Sequence, residues 1–314
     1  MITLNKSKEA QEVLKTVISK TDLVAAANWI ENIYLKLENT QKTGSFKVRG
    51  AFYKLSRLTT EEKEQGIVAA SAGNHAQGVA LAAQALAIQS CIFMPESAPS
   101  IKVQATRKYN SDVQLVGNTF NESYNEAKKY CSQNKSTFIE PFDDIDVIIG
   151  QSTIALEILE QLPDVEQIVL PIGGGGLAAG VSSIIKQVKP NCSIIGVEEQ
   201  THSSMNESIV NNRLTTKFSY KQTLADGLAV KTPGALTFDI CKNNIDRFIQ
   251  VTEEQIIDAI KFTYNKLNQV VEGAAATTIA AVLSGQIDTT KKTVLILSGS
   301  NIEKTKFEEI INQI

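Results

Sequence analysis

The chain has 314 residues, 43% of them hydrophobic and 21% charged, with a formal net charge of −3. That length and mixture suit one large or two ordinary globular domains, with a core that needs neither disulfides nor metals. The charge balance excludes a broad basic field for nucleic acid, and no uninterrupted apolar run approaches the roughly 20 residues that cross a bilayer.

Residues 1–28 read as an amphipathic helix and a lead-in to the first strand, without the apolar segment and cleavage pattern of a secretory leader. Cys91, Cys131, Cys192 and Cys241 stand apart, and with only His75 and His202 beside them they make no zinc spacing. No metal is expected, and a reducing cytoplasm is the expected setting.

Ile33–Glu38 alternates as a strand does, and Ala51–Leu58 is a helical run. Gly66–Ser71 is a short apolar strand that runs through Ala72–Gly78 into an Ala-rich helix, Val79–Ala87. Then come strand Cys91–Pro95, helix Ser100–Tyr109 with Ser100 as its cap, strand Asp112–Val116, helix Asn121–Gln133 and strand Thr137–Ile139. Helix Val147–Gln161, strand Gln167–Ile172, four glycines, helix Leu177–Val188 and strand Ser193–Val197 follow. Residues 200–235 are polar and less regular, with Thr223–Gly227 as a loop. Strand Arg247–Val251, helices Thr252–Leu267 and Gly273–Leu283, and strand Thr293–Leu297 complete the pattern.

Such alternation, with strands apolar along their length, predicts an α/β fold: two αβα domains with mostly parallel sheets. The expected large domain is residues 1–44 with 142–314, and the small one is residues 45–141. Ligands of such sheets bind at the carboxyl ends of strands. Four stretches fall there.

Thr43–Gly50 places Lys47 where a strand hands over to a helix, in a field that favours a neutral, nucleophilic amine. Read alone, Lys47 is more simply a solvated helix lysine, with Gly44 only a turn. Gly173, Gly174, Gly175 and Gly176 link a strand to a helix, and their backbone N–H groups can wrap a terminal phosphate. The run lacks both the Lys-Ser/Thr ending of a Walker loop and the G-x-G-x-x-G spacing. Ser71, Ala72, Gly73, Asn74 and His75 offer a hydroxyl, an amide, an imidazole and free N–H groups for a carboxylate or a cofactor oxygen; a capped helix with a satisfied histidine is the plainer reading. Ser298 ends a buried strand, where its hydroxyl can meet a ring nitrogen or simply close a turn. Together the four supply what pyridoxal 5′-phosphate needs: a lysine, a phosphate cradle, a partner for the pyridine nitrogen and a substrate carboxylate site.

Leu37–Ala51 resembles the pyridoxal-phosphate attachment site of the serine/threonine dehydratase family, of fold type II (the tryptophan synthase β-like group). Ser71–Gly78, Gly173–Leu177 and Ser298–Asn301 are similar to its other motifs, in the same order. The likeness is strongest to the catabolic threonine dehydratases (threonine ammonia-lyases), since no regulatory domain follows. It implies a cytoplasmic homo-oligomer, dimer or tetramer, that acts on a small amino acid without nucleic acid or membrane. L-threonine or L-serine would lose its hydroxyl by α,β-elimination, giving a 2-oxo acid and ammonia. Lys47 would hold the cofactor and act as the base, with Phe46 against the ring. Asn74 would meet the ring hydroxyl, Ser298 the pyridine nitrogen, and Gly173 to Gly176 with Leu177 the phosphate. Ser71 to His75 would bind the substrate carboxylate.

The chain departs from the family at Asp22, Ser152 and Ser300, where proline, glycine and glycine are common, so a bulkier 3-hydroxy amino acid is an alternative substrate. Serine racemase resembles the chain over the same length, but Ala72 stands where racemisation would place a serine base. Glu198 matches one ligand of the racemase-type metal site, while Ser204 replaces an aspartate. A metabolite-binding protein without catalysis is the reading from another class, and retention of Lys47 argues against it. Nucleotide activation occurs in the family near Lys42–Thr43, and nothing in this sequence establishes it.

Overall fold

The computed structural model describes residues 1–217 and 221–312. In chain order the elements are α1 (Leu4–Leu14), β1 (Leu23–Ala25), β2 (Ile33–Lys36), α2 (Lys47–Ser56), α3 (Thr60–Gln65), β3 (Ile67–Ala70), α4 (Asn74–Ala85) and β4 (Ser90–Met94). Next are α5 (Ser100–Arg107), β5 (Asp112–Leu115), α6 (Phe120–Asn134), β6 (Thr137–Phe138), α7 (Ile145–Gln161), β7 (Gln167–Pro171), α8 (Gly176–Val188) and β8 (Ser193–Glu199). The last are α9 (Ser204–Val210), α10 (Ala235–Asn244), β9 (Arg247–Val251), α11 (Glu253–Leu267), α12 (Gly273–Leu283), β10 (Thr293–Ile296) and α13 (Lys304–Asn312).

The strands form two sheets. One has six strands in the order β1-β2-β10-β7-β8-β9, parallel except for β1 against β2. The other has four, in the order β5-β4-β3-β6, all parallel. This is the α/β class that the alternating sequence predicts.

Helices cover both faces of the larger sheet, and the strand residues divide between them by turns. Ile168 and Leu170 of β7, with Val294 and Ile296 of β10, join the core that includes α7 and α8. Val169 and Leu295, between them, join the core under α11 and α12. A strand buried on both faces has no polar side to show, which is why these sequences read as unbroken apolar runs.

Several elements differ from the sequence expectation. The strand expected over Ile33–Glu38 stops at Lys36, because Glu38–Thr40 turns into a 3-10 helix. The helix expected from Ala51 begins at Lys47, one turn earlier. Ser100 is the first helical residue and not a cap; Pro99 holds the cap position and no side chain bonds there. The strand β1 and the helices α3, α9, α10 and α13 lie where no element was expected.

A buried charge cluster ties α2 to the larger sheet. The Arg49 side chain is 0% exposed. It donates to Glu38 through Nε (2.8 Å) and Nη2 (2.7 Å), and to Glu157 of α7 through Nη1 (2.7 Å) and Nη2 (3.0 Å). Lys36 Nζ completes the cluster, 2.6 Å from Glu157 Oε2. Burial works against the Arg49 charge, yet Glu38 and Glu157 hold it above its ordinary range. Burial likewise works against the Glu157 carboxylate, and Arg49 and Lys36 overcome it and hold that group low. Two cations and two anions balance, which a dry interior requires.

Candidate active site

A cavity of about 910 Å³ lies between the two sheets, at the carboxyl ends of their strands. Its walls include Phe46, Lys47, Ser71, Ala72, Gly73, Asn74, His75, Gly173, Gly174, Gly175, Gly176, Leu177 and Ser298. Residues 252 positions apart (298 − 46) thus meet in one cleft.

The Lys47 segment is stitched to the end of β10. Phe46 N donates to Ser298 O at 3.1 Å, and Ser300 N donates to Gly44 O at 2.8 Å. These bonds bring Lys47 and the Ser298 hydroxyl to the same wall. Gly78 of α4 lets that helix approach closely: a Cβ there would lie 3.0 Å from the carbonyl carbon of Lys47 and from Val48 N.

Lys47 Nζ donates to Pro141 O at 2.8 Å and sits 5.4 Å from the centre of the Phe46 ring. Burial lowers its amine to about 8, against the opposing charge of Glu272. The lowering expected from the helix field therefore comes mainly from removal of water. His75 is buried, and its Nε2 lies 3.0 Å from Ile139 O. A carbonyl only accepts, so Nε2 carries the hydrogen in the neutral ring. Burial, then the Lys47 charge, lowers this imidazole to about 3, so it is neutral at ordinary pH.

The four glycines open α8. Gly175 has φ +92°, in the left-handed region that favours glycine, and holds the cap position. A Cβ on Gly174 would fall 2.3 Å from the Phe142 ring, so a side chain has no room. Thr237 Oγ1 donates to Gly174 O at 2.6 Å and fixes the turn from behind. The first N–H groups of α8 have no acceptor within the helix and line the cleft. The neighbouring α10 is different: Asp143 accepts from Ala235 N (3.0 Å), Leu236 N (3.0 Å) and Thr237 N (3.1 Å), so its amino end is filled by the protein itself.

At the amino end of α4, Gly73 N donates to Ser71 Oγ at 3.2 Å, and the backbone N–H groups that start the helix face the cleft. Asn74 Nδ2 donates to Glu272 Oε1 at 2.7 Å, and Asn301 Nδ2 donates to Asn74 Oδ1 at 2.6 Å. Burial raises the Glu272 carboxyl to about 7, helped by the nearby Asp226 charge. The Ser298 hydroxyl has no hydrogen-bond partner among the described residues. At the mouth, Lys102 of α5 meets Asp226 at 2.9 Å, across from the other wall.

Sequence reasoning passed over Phe142, Asp143, Thr237, Lys102 and Asp226. None lies in a recognisable motif; each reaches the cleft only through tertiary placement. Glu198 is spent locally, accepting from Met205 N and Asn206 N at 3.0 Å each at the start of α9. Burial raises it to about 8. Among the described residues no three His, Cys, Asp or Glu side chains gather as a metal site, and no helix is long and apolar enough to cross a membrane.

Comparison with known proteins adds a family to this geometry. The sequence profile described as "Pyridoxal-phosphate dependent enzyme" matches residues 14–299. The chain is 47% identical to an L-threonine ammonia-lyase of Thermotoga maritima, covering 100% of this chain and 79% of the relative. It is 42% identical to a catabolic L-threonine dehydratase of Staphylococcus aureus, covering 99% and 92%. The fold is similar to that of threonine deaminase isoform 2 from Solanum lycopersicum, with a TM-score of 0.91 at 37% identity, covering 98% of this chain and 86% of that one. A lysine with a lowered amine, a glycine turn closed to side chains and a free hydroxyl share one cleft, and the sequence match runs through all three: the chain belongs to the family of pyridoxal-phosphate dependent enzymes.

Proposed function

We propose that the chain is a threonine ammonia-lyase, which converts L-threonine, L-serine or both to the 2-oxo acid and ammonia. The observation that carries this is the placement of Lys47, with its amine lowered to about 8, in the same cleft as the Gly173–Gly176 turn and the unpartnered Ser298 hydroxyl.

The residues present fit pyridoxal 5′-phosphate. The turn that a Cβ on Gly174 would fill, with its free N–H groups, suits the phosphate. Ser298 Oγ suits the pyridine nitrogen, Phe46 a ring face, and Asn74 the ring oxygen. Leu177 closes the phosphate end. When bound, the cofactor supplies an electron sink that acidifies the substrate Cα.

The chain's own residues do the rest. Ser71, Gly73 and the N–H groups at the start of α4 hold the substrate carboxylate, and His75 supports that turn as a neutral ring bonded to Ile139 O. Exclusion of water brings Lys47 down to about 8, near enough to physiological pH for part of it to be the free amine that can take the Cα proton. Loss of the β-hydroxyl and later hydrolysis release 2-oxobutanoate from threonine, with ammonia. Ala72 puts no proton-carrying group on the opposite face, which favours elimination over racemisation.

The division into residues 1–44 with 142–314 and 45–141 is supported by the four-stranded sheet, whose strands all fall between residues 67 and 138. Four free thiols support a reducing, cytoplasmic setting. A homo-oligomer rests on the resemblance alone, and light scattering measures it.

The test is a screen of L-3-hydroxy amino acids with detection of 2-oxo acid and ammonia. The wild type should be coloured by its cofactor, and Lys47→Ala should lose both colour and turnover. A wild type that stays colourless with added cofactor refutes the reading, and D-serine as the main product would replace lyase with racemase.

A further inference from the structure

Asn74 stands in a hydrogen-bond chain whose direction is fixed at both ends. Asn301 Nδ2 donates to Thr43 O at 2.8 Å and to Asn74 Oδ1 at 2.6 Å. Asn74 Nδ2 then donates to Glu272 Oε1 at 2.7 Å. A backbone carbonyl can only accept, so Asn301 must turn its NH₂ toward Thr43. A carboxylate can only accept, so Asn74 must turn its NH₂ toward Glu272. The two amides between them have no consistent alternative orientation. There is no slack either: a Cβ on Gly299 would lie 2.5 Å from Glu272 Oε1, and one on Gly44 would lie 2.6 Å from Asn301 Oδ1.

The chain joins three parts of the fold. Asn74 begins α4, beside the four-stranded sheet. Glu272 is the cap residue of α12, and Asn301 follows β10 of the six-stranded sheet. Asn74 is therefore held by side chains from the opposite wall of the cleft.

We propose that Glu272 and Asn301 are positioning residues that lock the Asn74 amide with its Nδ2 as the donating end, so that the site takes the ring oxygen of its cofactor in the deprotonated, hydrogen-bond-accepting form. This rests on the placement of Asn74 beside that oxygen in the function proposed above. One N–H of Asn74 goes to Glu272, and the other remains to be donated. An anionic oxygen is the stronger acceptor for it.

Glu272 is suited to such a neighbour. Burial, together with the Asp226 charge, raises its carboxyl to about 7, while Lys102 and the bond from Asn74 oppose the rise. An anion close by pushes Glu272 further toward its neutral form. The lock survives that protonation, because a carboxyl still accepts through its carbonyl oxygen.

The test reads the visible absorption of the loaded protein against pH, since the colour of a 3-hydroxypyridine aldehyde derivative depends on whether its ring oxygen carries a proton. Glu272→Leu removes the acceptor, and Asn301→Asp replaces the donor with an acceptor. Each should raise the pH at which the ring-oxygen form changes by about one unit, roughly the worth of one hydrogen bond to a charged group. Glu272→Gln keeps an acceptor facing Asn74 and should keep the wild-type midpoint. Wild-type midpoints in Glu272→Leu and Asn301→Asp would overturn the inference. So would Glu272→Gln behaving as Glu272→Leu, because charge and not orientation would then be acting. A wild type with no visible band would instead overturn the function from which the inference starts.

Discussion

Replacing Arg49 by Met would test how the lysine-bearing helix is held. The substitution removes all four bonds to Glu38 and Glu157 and leaves Lys36 as the only cation in the cluster. Two carboxylates against one ammonium is a buried net charge of −1, and one carboxylate must take a proton for the fold to persist. Starting from an ordinary glutamate at 4.5, that costs about 3 kcal/mol at pH 7, at about 1.4 kcal/mol per pH unit. The value agrees with the roughly 3–5 kcal/mol typical of breaking a buried ion pair by removing one partner. The folded variant binds one proton more than its unfolded chain above pH 4.5, so its stability falls as pH rises. The deficit against wild type should therefore be largest at neutral pH and shrink by about 1.4 kcal/mol per unit toward pH 5. Urea unfolding followed by the single tryptophan, Trp29, at several pH values measures it. A deficit under about 1 kcal/mol at pH 7, or one that does not change with pH, would refute this account of the cluster.

Acid should weaken the wild type through His75, whose folded value near 3 lies below the ordinary 6.5. The unfolded chain binds the extra proton between those values, so stability is full above 6.5 and is lost as pH falls, by about 3 kcal/mol at pH 4. His75→Gln, which can still donate to Ile139 O, should flatten that part of the pH–stability curve; an unchanged curve contradicts the assignment. Gly174→Ala drives a methyl group against the Phe142 ring, a strain of about 1–3 kcal/mol, and should lower cofactor affinity at least about tenfold in equilibrium dialysis. Wild-type affinity in that variant would show that the turn does not form the cradle.

The parts legible in the sequence are those whose physical cause is local. β3, β7 and β10 are buried on both faces, so their unbroken apolar runs announce them. The glycine turn is legible because no other residue repeats there without cause. Even α3 carried a local signal: Thr59 and Glu62 form a capping box, although none of its residues is buried to reinforce the pattern. What the sequence hid depends on distant partners. The helix α10 is capped by Asp143, more than ninety residues before it, and α9 by Glu198 at the end of a strand. Lys36, Glu38, Arg49 and Glu157 look like ordinary surface charges until folding brings them together. The Asn74–Glu272 bond spans 198 positions, and only the folded chain reveals that the amide has a fixed direction.

The neighbouring placement of β2 and β10 governs when the enzyme can come into being. Ile33 pairs with Thr293, which closes a loop of 260 residues (293 − 33) at the middle of the larger sheet. During synthesis, β1 and β2 emerge early and wait with an open apolar edge while the four-stranded sheet, whose pairings are far more local, can already form. β7, β8 and β9 can assemble next, but they meet β2 only when β10 slots between them. The Ser298 hydroxyl, Asn301 and the bond from Phe46 N to Ser298 O all arrive with that strand. The setting of Lys47 is thus incomplete until β10 is in place. A nascent chain carries the lysine from early on but no competent site until β10 has been made.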